Sequence, residues 1–432
     1  MYNGAMIRSL LALILLAVPA GAVDWQVQYS SALARASAAH RRILVDFQAP
    51  WCYSCYYMEE KVLSGEKFAR ASQELVLLKL DVDKPEGKAL KEKLGVSFLP
   101  SYVLLDSAGA PLGRIVGEQT EADFLAKLQA LAGPPASAPA DAALGALRSR
   151  LAAGEYPKAQ AEIDSLSPVL LEEARKKLAW RILEARLGLM RAAKENRPGG
   201  PDALAKLLKL EKSCDLAYDI VYSEKIPESF DDKKRLKLLK KERKALERLV
   251  KERFFGVEKD RCADFRTGIE VLVEVYDRLG LKEERGALLR RAISQLEGSA
   301  AKVGADRNRD DNLRFFLEMA GEDGPLRKLY PKLTEAYSTD YVYPYRFGRY
   351  LLERGEPSAA LPWLDKAERM AYGANRVAVA KIKAKTLSAL GKGDEALSLL
   401  DREIKAAGFS FPKEAEGLGS LRGELSGATP GK

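Results

Sequence analysis

Apolar and polar positions follow two different patterns along the chain. In the front part, short apolar runs at residues 43–47 (ILVDF) and 75–80 (LVLLKL) are typical of buried parallel strands. Residues 102–105 and 113–116 predict a hairpin whose turn contains Gly109. Helices are predicted over residues 56–71, 84–94 and 121–131. The front part is therefore predicted to be a small α/β sandwich around a mixed sheet.

The back part of the chain, after Ala142, shows helical patterns alone. Three helix–turn–helix segments share a turn glycine and an alanine five residues later, at Gly154 and Ala159, Gly355 and Ala360, and Gly391 and Ala396. This frame resembles the tetratricopeptide repeat (TPR), a helix hairpin of about 34 residues. The resemblance is clear over residues 340–407 and weaker over 144–166, and the usual tryptophan and final proline are missing. It implies an all-α, TPR-like solenoid, and an ordinary helical bundle is the alternative.

The first 22 residues have the pattern of a secretory signal peptide. Arg8 precedes an apolar segment at residues 9–18, and residues 20–22 (AGA) match a small-x-small cleavage site. An uncleaved anchor is the alternative, but about 10 apolar residues are too few for a bilayer, which needs about 20. We therefore expect an exported protein, periplasmic and soluble after cleavage, in an oxidising compartment.

A second segment of unusual composition divides the rest of the chain. Residues 133–142 (GPPASAPADA) have the composition of an extended linker. The predicted organisation is a signal peptide (1–22), an α/β domain (23–132), a Pro/Ala-rich linker (133–142) and an α-helical repeat domain (143–432).

Composition and charge exclude several classes of protein. Hydrophobic residues at 47% and charged residues at 30% argue against a disordered chain and a multi-span membrane protein. The formal charge of +9 comes from the helical domain, and no nucleic-acid partner is expected of an exported protein. The most basic segment of the helical domain, residues 231–253, is predicted to form the solvated face of a packed helix. Binding of this segment to anionic lipid or to an acidic partner is the alternative. The single histidine, His40, excludes a multi-histidine metal site and fits a polar helix terminus.

The candidate chemistry lies where the strand at residues 43–47 leads into the next helix. Residues 49–55 (APWCYSC) place Cys52 and Cys55 around the first helical turn, where free N–H groups stabilise a thiolate. Cys52 is thus the predicted nucleophile, and Cys55 is placed to resolve a mixed disulfide. A metal half-site and an incidental structural disulfide are the alternatives. Zinc would need two more ligands, and the other two cysteines belong to the helical domain.

Three segments together resemble the thioredoxin family. Residues 45–55 look like its active-site stretch, residues 95–101 like its loop with a cis proline, and residues 78–83 like the strand between them. The resemblance covers about 110 residues and implies that Asp46 is a buried acid beneath Cys55, with Lys79 nearby. A strand-end residue capping an amide is the alternative for Asp46. The substrate groove implied by the resemblance comprises Trp51, Tyr53, Ser54, Leu99 and Pro100.

The dipeptide between the cysteines bears on the direction of the reaction. Tyr53-Ser54 is neither the Gly-Pro of reducing thioredoxins nor the Pro-His of strong oxidants, so Cys52 lacks a neighbouring cation. Residues 47–52 followed by Glu59 and Glu60 are more similar to exported thiol:disulfide interchange proteins. The resemblance implies a reductase or isomerase of protein disulfides, with no cofactor beyond the Cys52–Cys55 pair and no metal, and with a donor such as a membrane reductase. A non-enzymatic adaptor, whose helices bind a protein partner, is the competing hypothesis.

Two features of the helical domain are left open by the sequence. Cys214 and Cys262 each lie in an apolar helical stripe, and they form either a structural disulfide or two separate buried thiols. An aromatic cluster is favoured as core, with a peptide-binding surface as the alternative. The cluster comprises Tyr330, Tyr337, Tyr341, Tyr343, Tyr345, Phe347 and Tyr350.

Overall fold

The computed structural model of the protein describes residues 23–132, 138–195, 199–223, 232–257, 261–298 and 302–427. The predicted signal peptide lies outside the described residues, as do residues 133–137 of the predicted linker. Residues 139–142 of that linker form the first turn of a helix instead of extended chain.

A five-stranded mixed sheet forms the centre of the front domain. Its strands are β1 (Trp25–Gln26), β2 (Arg42–Gln48), β3 (Leu75–Asp81), β4 (Ser101–Leu105) and β5 (Pro111–Val116). They lie in the order β1-β3-β2-β4-β5, with β3 parallel to β1 and β2, and β4 antiparallel to β2 and β5. The predicted strands and hairpin are confirmed. The two-residue strand β1 was not predicted because it is too short to show an alternation.

Helices cover both faces of this sheet. They are α1 (Tyr29–Ala39), α2 (Tyr53–Met58), α3 (Glu66–Ala71), α4 (Pro85–Lys93) and α5 (Glu121–Ala132). Ile43, Val45 and Phe47 pack in a core with α1 and α4, whereas Leu44 packs on the other face with Phe124 of α5. Because side chains alternate along a strand, β2 is buried on both faces, as its apolar sequence predicts.

The prediction of one continuous helix over residues 56–71 is wrong. A π-helical turn at Glu59–Leu63 follows α2, and the chain then breaks before α3. Ser64 and Gly65 stand at this break, and both are weaker helix formers than the residues around them.

The described chain after residue 138 is built from helices. The first are α6 (Pro139–Ala153), α7 (Tyr156–Ser165), α8 (Pro168–Lys176), α9 (Leu178–Glu195), α10 (Gly200–Leu210) and α11 (Asp215–Ser223). Next come α12 (Asp232–Leu249) with a π-helical turn at Val250–Phe254, α13 (Phe265–Leu279), α14 (Lys282–Glu297), α15 (Arg307–Ala320) and α16 (Asp323–Ala336). The last are α17 (Val342–Glu353), α18 (Pro357–Met370), α19 (Gly373–Ala389), α20 (Gly393–Ala407) and α21 (Pro412–Gly427).

The segments that carry a turn glycine and an alanine five residues later form helix hairpins. Gly355 and Gly391 follow α17 and α19 with φ of 75° and 73°, the left-handed region that favours glycine. Ala360 and Ala396 are fully buried on the next helices, where a small side chain permits close packing. A Cβ on Gly348 would lie 2.6 Å from Leu364 Cγ, so α17 and α18 also approach closely. The assignment of these hairpins to the tetratricopeptide family stays a prediction.

Two open questions about the helical domain are answered by the structure. Cys214 and Cys262 are joined by a disulfide with an S–S distance of 2.08 Å, so the alternative of two separate thiols is wrong. The aromatic cluster belongs to the core, since Tyr330, Tyr343 and Phe347 are at most 5% exposed. These rings are therefore unavailable as a peptide-binding surface.

No helix in the described part of the chain combines the length and apolar character needed to cross a membrane.

The helical domain packs directly on the α/β domain, at the carboxyl end of β3. Tyr372 Oη donates to Asp81 Oδ2 at 2.5 Å, and the Ala374 N–H donates to the carbonyl oxygen of Asp83 at 3.0 Å. Gly373 has a φ of 52°, and a Cβ on it would lie 1.9 Å from that same oxygen. Only glycine fits this approach. The two domains thus share an interface near the end of the sheet that carries the cysteine pair.

Candidate redox site

Cys52 and Cys55 lie at the junction of β2 and α2. They form a disulfide with an S–S distance of 2.02 Å. Cys52 caps α2, because its Sγ accepts a hydrogen bond from the Cys55 N–H at 3.1 Å. A backbone N–H that points at this sulfur favours the thiolate once the pair is reduced. The geometry therefore suits Cys52 as the nucleophile.

Asp46 is a buried acid in β2. It is 3% exposed, and among the described residues its Oδ1 has no hydrogen-bond partner. Burial raises the pKa of Asp46 to about 7, although the neighbouring Lys79, paired with it in register on β3, lowers it. Because β2 continues to Gln48, Asp46 is not a strand-end cap. A carboxyl group with this pKa can take up and release a proton near neutral pH.

The rim of the site is formed by Trp51 and by the loop before β4. The Leu99–Pro100 peptide bond is cis, as the family resemblance implied. Pro100 is buried and Leu99 is partly exposed. Trp51 is 40% exposed, and its Nε1 donates to Asp83 Oδ2 at 2.9 Å. Trp51 and Leu99 are thus accessible to a substrate in this arrangement.

The helical domain covers Tyr53 and its surroundings. The Arg266 guanidinium lies 3.6 Å from the centre of the Tyr53 ring, and Tyr53 Oη donates to Asp264 Oδ1 at 3.4 Å. Asn308 Nδ2 donates to the carbonyl oxygen of Tyr53 at 3.1 Å. The neighbouring Ser54 is only 3% exposed. These contacts hold Tyr53 in a partly buried position, so the helical domain limits the access of a substrate to it.

Comparison with known proteins agrees with this geometry. Residues 29–132 match the family described as thioredoxin-like domain. This segment is a thioredoxin-like domain. The thiol:disulfide interchange protein DsbD of Ralstonia nicotianae is 31% identical to this chain over 116 residues, covering 26% of this chain and 19% of that protein. The thiol:disulfide interchange protein TxlA of Synechococcus elongatus is 31% identical over 96 residues, covering 22% of this chain and 49% of that protein.

One solved structure is also similar to part of this chain. The solution structure of a thioredoxin from Thermus thermophilus has 34% sequence identity and a TM-score of 0.23, and covers 24% of this chain and 82% of its own. The chain spans about a fifth of DsbD and about half of TxlA.

Sequence reasoning missed the helical side of the redox site. Asn308 Nδ2 also donates to Glu118 Oε2 at 3.1 Å, and Arg346 Nη2 donates to the carbonyl oxygen of Trp51 at 3.1 Å. Burial raises the pKa of Glu118 well above its usual range, and the nearby Asp264 raises it further. A polar run at residues 306–312 (DRNRDDN) was the available signal. This run marks an unusual helix start, but it does not identify the residues that the helix contacts.

Proposed function

We propose that the protein is an exported thiol–disulfide oxidoreductase that acts on protein disulfides. The observation that supports this most strongly is the Cys52–Cys55 disulfide at the start of α2, with the Cys55 N–H directed at Cys52 Sγ. The relatives named as thiol:disulfide interchange proteins support the same reaction.

The mechanism begins with the reduced pair. The Cys52 thiolate attacks one sulfur of a substrate disulfide, and a mixed disulfide forms while one substrate thiolate leaves and takes up a proton. Cys55 then gives its proton to Asp46, and its thiolate attacks Cys52 Sγ. The second substrate thiolate leaves, and the pair ends oxidised, as it is in the structure. Two electrons pass to the substrate in this sequence.

The direction and the partners follow from the same proposal. Without a histidine between the cysteines, reduction or isomerisation of protein disulfides is favoured over strong oxidation. An external thiol donor, such as a membrane reductase, restores the reduced pair, and no cofactor beyond the pair is needed. The helical domain, which lies beside the pair, binds the substrate protein or a partner. The composition of residues 1–22 supports export, to the periplasm or otherwise out of the cytoplasm.

The adaptor hypothesis is the second candidate, and one observation favours it. Cys52 is only 4% exposed and the helical domain covers Tyr53 beside it. A pair that is covered in this way would suit a docking or redox-sensing module with little turnover.

Reduction of insulin disulfides by the purified protein separates the two candidates. We expect Cys52→Ser to lower the rate more than hundredfold, since the attacking sulfur is lost. The Cys214→Ala/Cys262→Ala protein is the control, because it keeps the first pair and should keep its activity. A wild-type rate equal to that of Cys52→Ser would favour the adaptor.

A further inference from the structure

The WCYSC motif lacks a cation, yet two guanidinium groups of the helical domain approach it. Arg346 of α17 donates from Nη2 to the carbonyl oxygen of Trp51 at 3.1 Å, one peptide unit from Cys52. Arg307 of α15 donates from Nη2 to the carbonyl oxygen of Pro50 at 3.5 Å. Positive charge from a different domain is therefore placed at the two backbone carbonyls that directly precede Cys52.

The charge of Arg346 is only partly offset by its ion-pair partner. Asp311 pairs with Arg266 at 2.7 Å, with Arg314 at 3.1 Å and with Arg346. Glu318 also pairs with Arg314, which leaves Arg266 and Arg346 to share one carboxylate. Burial lowers the pKa of Arg346 and Arg314 lowers it further, although Asp311 opposes them. Arg307 has a partner of its own, Asp340 at 2.5 Å, and is the weaker source of positive charge.

Burial keeps several carboxyl groups around the redox site protonated to a higher pH than usual. Burial and the neighbouring Asp81 raise the pKa of Asp83, which accepts from Trp51 Nε1, to about 6. Burial likewise raises the pKa of Asp46 to about 7 and that of Glu118 well above its usual range. Asp264 lies beyond the Tyr53 ring, where it accepts from Tyr218 Oη at 2.6 Å. Below pH 6 Asp83 and Asp46 are therefore mostly protonated, so they offset little of the positive charge of the two guanidinium groups.

From this geometry we propose that Arg346, with Arg307 beside it, stabilises the Cys52 thiolate and supplies from the helical domain the positive charge that the motif lacks. A nearby cation favours the thiolate over the thiol, so Cys52 releases its proton to solvent at a lower pH. The reduced pair becomes more stable, which makes the disulfide more easily reduced. Arg346 and Arg307 are positioning residues, since they act through Cys52. The inference rests on the proposed function and assigns the helical domain a direct part in it.

The pH dependence of Cys52 alkylation tests the proposal. Iodoacetamide labelling of Cys52 is followed by peptide mass spectrometry in a Cys55→Ser background, so that Cys52 is the reactive thiol of the pair. We expect Arg346→Gln to raise the midpoint by about one pH unit, which is tenfold less thiolate below the midpoint. Arg307→Gln should give a smaller shift in the same direction, and Arg346→Lys should keep the wild-type midpoint. In the protein with both cysteines, Arg346→Gln should lower the reduction potential by about 30 mV, the equivalent of tenfold.

The matched control is Arg349→Gln, on the same helix. Arg349 pairs with the exposed Glu353 at 3.5 Å, and its removal should leave the midpoint unchanged. A change in access to Cys52 alters the labelling rate at every pH but does not move the midpoint. If Arg346→Gln does not fold, Arg307→Gln decides. Wild-type midpoints in the folded glutamine variants would overturn the proposal, whereas absence of insulin reduction by the wild type would refute only the proposed function.

Discussion

At the scale of single residues, Asp46 combines a buried position with a pKa of about 7. If it accepts the proton of Cys55, the rate should depend on its ionisation. We expect Asp46→Asn to slow insulin reduction roughly a hundredfold at pH 8 and to abolish the rise in rate around pH 7. Initial rates between pH 5.5 and 9 measure both effects.

The same carboxyl group makes the stability of the oxidised protein depend on pH. Unfolded Asp46 loses its proton near its ordinary pKa of 3.8, whereas the folded protein keeps that proton until about pH 7. Since the unfolded state then binds fewer protons, the free energy of unfolding falls between about pH 4 and pH 7. Asp46→Asn should remove a fall on the order of 4 kcal/mol, measured by urea unfolding. Asp24→Asn is the control, because Asp24 forms an exposed ion pair with Arg35. If Asp46→Asn kept the wild-type pH profiles of rate and stability, Asp46 would be neither the proton acceptor nor the cause of the fall in stability.

Some residues of the redox site could be predicted from the sequence and others could not. The difference is how far apart along the chain the contacting residues lie. Cys52, Cys55 and Asp46 could be predicted because a strand, a turn and a helix start within ten residues determine their positions. Arg346 could not, since its contact with Trp51 spans 295 positions and depends on how two domains pack. An arginine on a helix has the same sequence pattern whether it faces solvent or a redox centre.

At the scale of elements, the Cys214–Cys262 disulfide links the segments that lead into α11 and α13. The bridge closes a loop with a sequence separation of 48, so it restricts the unfolded chain. We expect Cys214→Ala/Cys262→Ala to lower the free energy of unfolding by about 4 kcal/mol, measured by urea unfolding under non-reducing conditions. Addition of a thiol reductant should destabilise the wild type and leave this variant almost unchanged. Equal unfolding midpoints for the two oxidised proteins would show that the bridge contributes no stability.

Helix ends were more predictable than helix continuity. Gly355 and Gly391 mark their turns because a left-handed φ selects glycine locally. The break between α2 and α3 was missed because the apolar spacing of residues 56–71 continues through it. The bonding of Cys214 to Cys262 was also undetermined, since it depends on how α10 to α13 pack.

At the scale of the whole molecule, the helical domain forms one wall of the redox site. Tyr372, Ala374 and Arg346 contact the thioredoxin-like domain at the end of β3 and at residues that follow β3 and β2. This arrangement was not predictable, because many of its contacts are hydrogen bonds of polar side chains, made to other side chains or to the backbone. Such contacts leave no apolar stripe in the sequence.

A substitution at Gly373 can weaken the contact between the helical domain and the redox site without changing the cysteines. A Cβ at Gly373 would lie 1.9 Å from the carbonyl oxygen of Asp83, which the Ala374 N–H contacts. We expect Gly373→Ala to separate α19 from the thioredoxin-like domain and to expose Cys52, which is 4% exposed in the wild type. Hydrogen exchange of the Ala374 N–H and alkylation of reduced Cys52 should each become roughly tenfold faster, which corresponds to about 1.4 kcal/mol of lost contact.

Gly391→Ala is the matched control for this change. Gly391 has a φ of 73°, so alanine there carries a similar backbone cost of about 1 kcal/mol, but a Cβ would meet nothing within 4 Å. The two variants should therefore lose similar stability from the backbone, while only Gly373→Ala changes exchange at Ala374 and labelling at Cys52. Equal labelling of Cys52 in both variants would mean that the contact at Asp83 does not control access to the pair. The covering of Cys52 would then depend on the contacts from α13, α15 and α17, through Arg266, Asn308 and Arg346.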